Sequence, residues 1–443
     1  MNITVLGGGL AGCEAAYAVA KAGINVKLVE MKPTKYTPAH KYSGLAELIC
    51  SNSLKAIRIG SAAGMLKEEM RKFGSLILEA ADKTAVGAGG ALAVDRKKFS
   101  DYITEKIKSH PLIEVVEEEA LNIPDGNVIV ATGPLTSEAL SDKIKDFCSE
   151  EYLNFFDAIA PIISADSIDM NKAFFAARYD RGDADYINCP FNKEEYEKFY
   201  EALIEAESAP LSDFDKQIFK VYEGCMPIEV MAKRGADTMR YGPLKPVGIT
   251  DPHTGRRPWA VVQLRKENAQ GSIYNIVGFQ TNLRFPEQKR VFSMIPGLEN
   301  AEFMRYGIMH RNTFINSPKL LKPTFEAKNR EGLYFAGQLT GVEGYIESAA
   351  SGILAGVNMA RKLNNQEELV LPGTTMMGAL SAYISNENID KFQPMGCNMG
   401  ILPEYPEKIK DKKLRYEKMA ERGLADLQKY LSERGFEHNE NCY

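Results

Sequence analysis

The amino-acid sequence predicts an α/β protein with a Rossmann-like dinucleotide-binding core that is interrupted by an inserted mixed α/β domain. At the N-terminus, an apolar strand over residues 3–6 runs directly into a G-x-G-x-x-G turn, and a helical pattern follows. Near the other end, a second short apolar strand, at 333–336, is followed by Gly337 and a helix rich in small residues. Between them lies a segment with more aromatic residues, more prolines and strand-like alternation, which indicates the insertion.

The N-terminal turn predicts a site for the pyrophosphate of a dinucleotide. Glycines allow the backbone to approach the phosphates, whose charge is stabilised at the N-terminus of the following helix. A second apolar run ends at Glu30, whose carboxylate would hold the adenosine ribose. The alternative is an ordinary tight strand-to-helix turn. The residues predicted to contact the cofactor here are Gly7, Gly8, Gly9, Leu10, Ala11, Gly12 and Glu30.

Two later elements favour FAD over a nicotinamide as that dinucleotide. Residues 128–133 read V-I-V-A-T-G and resemble the A-T-G strand of flavoproteins of the two-dinucleotide-binding-domain type. The late strand and its glycine resemble the element that closes over the flavin in the same group. Gly133, Gly337, Glu343 and Tyr345 are therefore expected in the flavin site, where Tyr345 could stack on the isoalloxazine ring or be a core aromatic. Three unrelated glycine-punctuated strands are the alternative.

The composition excludes several classes of protein. An apolar fraction of 44% and a charged fraction of 26% are typical of a soluble globular protein, and no run approaches the roughly 18 apolar residues of a membrane span. Because Met1 leads directly into a core strand, no signal peptide is expected. Seven scattered cysteines without C-x-x-C or histidine at metal spacing favour free thiols in a reducing cytoplasm and no metal site.

The formal net charge of −5 means that an RNA partner must be bound by local basic patches. For each candidate patch, the alternative is a solvated surface charge. The candidates are Arg256 with Arg257, Arg265 with Lys266, Lys289 with Arg290, Arg305 with His310 and Arg311, Lys319 with Lys322, and the stretch 408–422.

The order of these patterns divides the chain into three parts. We expect a first part of the FAD-binding domain over 1–160, an inserted substrate- and RNA-facing domain over 161–317, and the second part of the FAD-binding domain over 318–443, which ends in a charged helix. Periodicity and end signals predict individual elements. The predicted helices lie at 13–22, 62–81, 95–109, 193–208, 346–361 and from 408 onward, and two of the predicted strands lie at 259–264 and 274–279.

Two cysteines have the sequence context of a nucleophile. Cys225 lies in a turn that could present its thiol to a cleft, and Lys233 and Arg234 follow it and could lower the thiol pKa. Cys50 lies in a turn rich in serine and asparagine. The alternative for both is a small buried apolar residue, the usual role of a free cysteine.

A third candidate is the run His310, Arg311 and Asn312. These side chains could hold a carboxylate or a phosphate through charge-assisted hydrogen bonds. A hydrogen-bonded loop between domains is the alternative. The run is therefore a candidate for substrate binding.

Taken together, the motifs resemble the folate- and FAD-dependent tRNA (uracil-5-)-methyltransferase family, and the resemblance covers nearly the whole chain. A related family of wobble-uridine-modifying flavoproteins shares the FAD elements but carries a longer C-terminal helical domain. The resemblance rests on GGGLAGCEAA at 7–16, ICSNSL at 49–54, EGCMPIE at 223–229, MHRNTFINSP at 309–318, YFAGQLTGVEGYIESAASG at 334–352 and FQPMGCNMGILP at 392–403.

The resemblance implies C5-methylation of a uridine in folded RNA, which in the family lies in the tRNA T-loop. It implies 5,10-methylenetetrahydrofolate as carbon donor, reduced FAD as methylene carrier and NADPH or NADH as reductant. Cys225 would add to C6 of uracil and Cys50 would act near the flavin as base or accessory thiol, although the two roles could be exchanged. The same chemistry on ribosomal RNA, a small-molecule FAD oxidoreductase and a non-catalytic RNA-binding flavoprotein are the alternatives.

Overall fold

The fold contains a five-stranded parallel sheet. The structure, a computed structural model, describes residues 2–37, 39–148, 152–180, 183–210, 226–389 and 392–436. The strands of the sheet are β1 (Asn2–Leu6), β2 (Asn25–Glu30), β6 (Ile113–Glu117), β7 (Val128–Val130) and β16 (Leu333–Phe335). They lie in the order β16–β7–β1–β2–β6, and every pairing is parallel. All residues of β7 and β16 are buried, as expected for strands covered on both faces.

Three antiparallel sheets accompany the parallel one. Their strands are β3 (Ser53–Ala56), β4 (Ala85–Val86), β5 (Ala91–Val94), β8 (Tyr152–Ala158), β9 (Ile162–Ser164), β10 (Phe174–Ala176), β11 (Tyr186–Phe191), β12 (Ala260–Lys266), β13 (Ile273–Ile276), β14 (Phe303–Arg305) and β15 (Met309–Ile315). A six-stranded sheet has the order β10–β11–β12–β13–β9–β14, and the smaller sheets are β15–β8 and β3–β5–β4.

The α-helices include all those that the periodicity predicts, with one difference. They are α1 (Leu10–Lys21), α2 (Ala62–Lys72), α3 (Leu76–Lys83), α4 (Arg96–Lys108), α5 (Glu138–Phe147), α6 (Lys193–Glu205), α7 (Ile228–Ala232), α8 (Thr238–Tyr241), α9 (Phe285–Phe292), α10 (Ser317–Leu320), α11 (Tyr345–Leu363), α12 (Met376–Ile384) and α13 (Lys412–Glu433). The single helix predicted over 62–81 is wrong. Gly74 adopts a φ of +67°, and the Ser75 hydroxyl accepts a hydrogen bond from the Leu78 amide, so a second helix begins there.

The two sheets with most strands have separate hydrophobic cores. One cluster of buried apolar side chains surrounds the parallel sheet and the other surrounds the six-stranded sheet. The strands of the second sheet all lie between residues 162 and 305, and β8 and β15 pair on the two chain segments that flank them. The exact domain limits at 160 and 317 stay a prediction.

Helices α1 and α11 pack backbone to backbone beside the parallel sheet. A Cβ added to Gly352 would lie 2.2 Å from the Ala11 carbonyl oxygen, and one added to Gly356 would lie 2.6 Å from that of Ala15. Small residues at these positions therefore set the distance between the two helices. None of the helices in the described ranges is long and apolar enough to span a bilayer.

We predict that Gly352→Ala destabilises the protein. Alanine favours a helix over glycine, but its methyl group would displace the α1 backbone, so we expect a net loss of about 2 kcal/mol in the free energy of unfolding. Denaturant unfolding measures the difference. Gly373→Ala is the control, because Gly373 is exposed and has nothing within 4 Å of an added Cβ. Equal stability of Gly352→Ala and the parent would contradict the packing argument.

Candidate active site

A cavity of about 360 Å³ opens at the N-terminal ends of α1 and α11. This is the edge of a parallel sheet at which dinucleotides bind in folds of this kind. Residues from five separate parts of the chain meet there, within 9–11, 40–55, 131–135 and 337–348 and at Gln280. Those that the sequence singled out and that line the cavity are Gly9, Leu10, Ala11, Cys50, Gly133, Gly337, Glu343 and Tyr345.

The glycine turn has the geometry that close contact with a phosphate requires. Gly7 has a φ of +98°, and a Cβ on Gly12 would lie 1.7 Å from the Gly7 carbonyl oxygen, so both positions need glycine. A Cβ added to Gly9 or Gly133, in contrast, would meet nothing within 4 Å. Bare backbone thus faces open space at the start of α1, which forms a cradle suited to an anionic group.

Glu30 is buried at the end of β2, directly beside this turn. Its Oε2 accepts a hydrogen bond of 2.6 Å from the Gly8 amide, and its Oε1 accepts one of 3.0 Å from the Lys32 amide. The carboxylate therefore ties the turn to the second strand. Its contact with a ribose stays a prediction.

Cys50 and Tyr345 are in direct contact at the cavity wall. The distance from Cys50 Sγ to Tyr345 Oη is 3.0 Å. Tyr345 Oη also accepts hydrogen bonds from the amides of Cys50, at 2.8 Å, and Ser51, at 3.2 Å. Burial, and after it the neighbouring thiol, raises the pKa of Tyr345 well above its usual range, so the phenol keeps its proton at neutral pH. The sequence predicted stacking or core packing for this residue and did not indicate its contact with Cys50.

Three arginines hold the segment 48–53, which carries Cys50. Arg96 donates from Nη1 to the carbonyl oxygens of residues 48 and 49, at 2.6 and 2.9 Å. Arg305 donates to the carbonyl of residue 49 at 3.1 Å. Arg265 donates to Asn52 Oδ1 at 2.9 Å and to Ser51 Oγ at 2.7 Å. The interpretation of Arg265 and Arg305 as RNA-facing charges is wrong, because both guanidinium groups point inward and bind this segment.

The structure describes the remaining predicted site residues only in part or not at all. Cys225 lies outside the described residues. His310, Arg311 and Asn312 lie on β15, where the structure describes the backbone and not the side chains. Their roles stay predictions. Within the described ranges, no group of three or more His, Cys, Asp or Glu residues could hold a metal ion.

The structure adds a charged cluster that sequence reasoning missed. Glu347 is buried on α11, and its carboxylate accepts hydrogen bonds from Lys55 Nζ and the Cys397 amide. Lys55 lines the cavity. Burial lowers the pKa of the nearby Lys67 to about 8. Two features of the sequence could have indicated this cluster. Lys55 directly follows the I-C-S-N-S-L motif, and Cys397 lies in the F-Q-P-M-G-C motif.

The comparison with solved structures confirms the predicted fold class. GidA from Aquifex aeolicus superimposes with a TM-score of 0.73 at 18% sequence identity, over 99% of this chain and 74% of that one. At this identity the likeness establishes the fold alone. The α/β architecture with a Rossmann-like core and an inserted α/β part is therefore correct.

The comparison with sequences establishes the family. A family model described as glucose inhibited division protein A matches residues 2–367. The methylenetetrahydrofolate–tRNA-(uracil-5-)-methyltransferase TrmFO of Brevibacillus brevis is 60% identical over 433 residues, which are 98% of this chain and 99% of that protein. The protein of the same name from Enterococcus faecalis is 58% identical over 96% of this chain and 97% of its own. The chain therefore belongs to the glucose inhibited division protein A family and, within it, to the methylenetetrahydrofolate–tRNA-(uracil-5-)-methyltransferases.

Proposed function

We propose that this protein methylates C5 of a uridine in the T-loop of tRNA, with 5,10-methylenetetrahydrofolate as carbon donor and FAD as its bound cofactor. The observation that carries the proposal is 56–60% identity, over nearly the full chain, to relatives named for this reaction. Those names specify tRNA, so ribosomal RNA is the less favoured substrate. A small-molecule FAD oxidoreductase is also not favoured, since it would need neither Cys50 nor Cys225.

We assign this cavity to the flavin cofactor. The glycine turn at 7–12 would hold the pyrophosphate, Glu30 the adenosine ribose, and Gly133, Gly337 and Glu343 the remainder. When bound, FAD supplies the redox chemistry and carries the one-carbon unit. The open space at Gly9 is the observation on which this assignment rests.

The two cysteines would act on the uracil. C5 of uracil is too weak a nucleophile to be alkylated unaided, and addition of a thiolate at C6 activates it. We assign that addition to Cys225. Cys50, on the cavity wall beside Tyr345, would serve as base or accessory thiol. The target base must leave its stack to reach the cavity, at a cost of a few kcal/mol.

The sequence also suggests how the reductant reaches the flavin and in which compartment the protein acts. The sequence carries no second G-x-G-x-x-G turn for NADPH or NADH, so we expect the reductant to approach the flavin transiently from the open side. We expect the protein to act in the cytoplasm, where reducing conditions keep its cysteines as thiols.

A second cavity, of about 810 Å³, offers contacts for the RNA backbone. It lies beside the start of β12, whereas Arg265, which binds the Cys50 segment, lies near the other end of that strand. Arg256 and Arg257 are exposed on its wall, and Arg240 stacks on Trp259 at 3.7 Å from the ring centroid. Such exposed guanidinium groups would bind phosphates and offset part of the cost of extruding the base.

We predict that Gly9→Val lowers the flavin content of the purified protein at least tenfold. The isopropyl group would occupy the space assigned to the pyrophosphate, while nothing in the protein obstructs it. Absorbance at 450 nm per polypeptide measures the effect. The unfolding midpoint of flavin-stripped samples should fall only slightly, because Gly9 is the N-cap of α1 and valine is a poorer cap. Gly90→Val is the matched control, because Gly90 is also exposed with open space at Cβ. Full flavin content in Gly9→Val would contradict the assignment.

We predict that RNA containing 5-fluorouracil forms a covalent band with the protein when methylenetetrahydrofolate and NADPH are present. Fluorine replaces the C5 hydrogen that must leave as a proton before the thiolate can be expelled, so the thiolate adduct at C6 accumulates. The band should disappear in Cys225→Ala and persist in Cys189→Ala, a buried cysteine on β11. If the band instead disappeared in Cys50→Ala and persisted in Cys225→Ala, Cys50 would be the nucleophile and Cys225 the base or accessory thiol.

The matching activity assay uses unmodified tRNA and ribosomal RNA, each with and without methylenetetrahydrofolate. We expect 5-methyluridine in tRNA only when the folate is present. Absence of any band and of any methylation, with a flavin that still reduces a small acceptor, would overturn the proposed function in favour of an oxidoreductase.

We predict that replacing Arg256 and Arg257 by Gln weakens tRNA binding and reduces the slope of log K against log [salt] by about 2, since each phosphate contact contributes about 1. Flavin content and flavin reduction by NADPH should not change. Lys143→Gln with Lys145→Gln on α5 is the control, because both lysines are exposed and the change in net charge is the same. Equal salt slopes for the two double variants would exclude the second cavity from RNA binding.

A further inference from the structure

The segment that carries Cys50 is surrounded by an excess of buried positive charge. Arg96, Arg265 and Arg305 all donate hydrogen bonds to residues 48–52. Arg96 forms an ion pair with Glu267, which is 2% exposed. Across the described ranges, neither Arg265 nor Arg305 forms an ion pair with a carboxylate. Two positive charges beside Cys50 are thus left without a paired acid, and such charges are costly inside a protein.

Arg305 has buried hydrogen-bond donors that lack an acceptor in the described part of the chain. Its Nη1 donates to the carbonyl of residue 49, but its Nε and Nη2 are buried and no group in the described part of the chain accepts from them. Burial, and after it the neighbouring Arg96, lowers the pKa of Arg305 to about 10, so the group is still charged at neutral pH. An unpaired buried guanidinium of this kind is stabilised by an anion nearby.

The contact between Tyr345 and Cys50 indicates where that anion is. Tyr345 Oη accepts hydrogen bonds from two backbone amides, which occupy its acceptor sites. Its one proton is then left to donate, and Cys50 Sγ lies 3.0 Å away. A sulfur that accepts a hydrogen bond from a phenol, with guanidinium groups behind it, is in the environment of a thiolate.

We propose that Arg96, Arg265 and Arg305 hold Cys50 as a thiolate at neutral pH, with the Tyr345 hydroxyl donating to its sulfur. The three arginines are positioning residues, because they act on the segment that carries Cys50. A thiolate can accept a proton without a further base. The use of this charge in methylation rests on the proposed function, whereas the charge state of the thiol does not.

Other ionisable groups around the cavity have their own partners. Glu47 pairs with Lys32, and Lys55 pairs with Glu347. Asp95 accepts hydrogen bonds from backbone amides at the start of α4 and from the Ala269 amide. The wall of the cavity also includes His40 and Glu343. Of the charged groups behind Cys50, Arg96 and Arg305 both interact electrostatically with it.

The test is the rate of alkylation of Cys50 by iodoacetamide between pH 5 and pH 10, resolved by peptide mass spectrometry. It uses the full chain as purified, with flavin content matched between variants. An ordinary thiol has its midpoint near pH 8.5. We expect the Cys50 midpoint below pH 7 in the parent and at least one pH unit higher in Arg305→Met. That shift makes alkylation about tenfold slower at pH values below both midpoints.

Two further variants separate charge from structure. Arg305→Lys keeps the charge and should move the Cys50 midpoint by much less than Arg305→Met does. Glu267→Gln removes the paired carboxylate and should move the midpoint in the opposite direction, to lower pH. Damage to the fold would not produce shifts of opposite sign. Cys397 in the same samples is the internal control, and its profile should not change between variants.

A Cys50 midpoint at or above 8.5 in the parent would overturn the proposal, as would equal shifts in Arg305→Met and Arg305→Lys. This assay needs neither RNA nor folate. A protein with a low Cys50 midpoint that fails to methylate RNA would therefore contradict the proposed function alone. A methylating enzyme with an ordinary Cys50 midpoint would contradict this inference alone.

Discussion

The backbone contact between α1 and α11 sets the geometry of the whole cavity. Gly352 and Gly356 allow the two helices to approach so closely that their N-terminal ends open into one cavity. Gly9 precedes α1, and Tyr345 is the first residue of α11. Because the open backbone at Gly9 lies at one helix end and the Tyr345 phenol at the other, helix packing determines the distance between the glycine turn and the thiol that contacts Tyr345.

The segment 48–53 joins the two cores of the protein at this cavity. It receives Arg96 from α4 on one side, and Arg265 from β12 and Arg305 from β14 on the other. Hydrogen bonds to carbonyl oxygens hold its backbone, while the guanidinium charges remain without enough carboxylates to balance them. The same contacts therefore fix the position of Cys50 and set the electrostatic field around it.

Local patterns in the sequence predicted the strands and turns that line the cavity. The glycines of the first turn, the V-I-V-A-T-G strand and Gly337 each carry a geometric requirement that is visible in a few consecutive residues. The helix over 62–81 was predicted wrongly, since apolar periodicity continues through Gly74 although the chain turns there. Arg265 and Arg305 were assigned to the surface, because a charge in a sequence looks the same whether its partner is water or a buried carbonyl.

Residue identity and short-range spacing were enough to predict the family, the fold class and the glycine turn. Only folding brings Tyr345 into contact with Cys50 across 295 positions of the chain, and only folding brings three distant arginines together on the segment that carries Cys50. Hydrogen bonds and electrostatic interactions depend on distance in space. That distance depends on how the two cores pack on the segment 48–53, and local sequence patterns do not predict it.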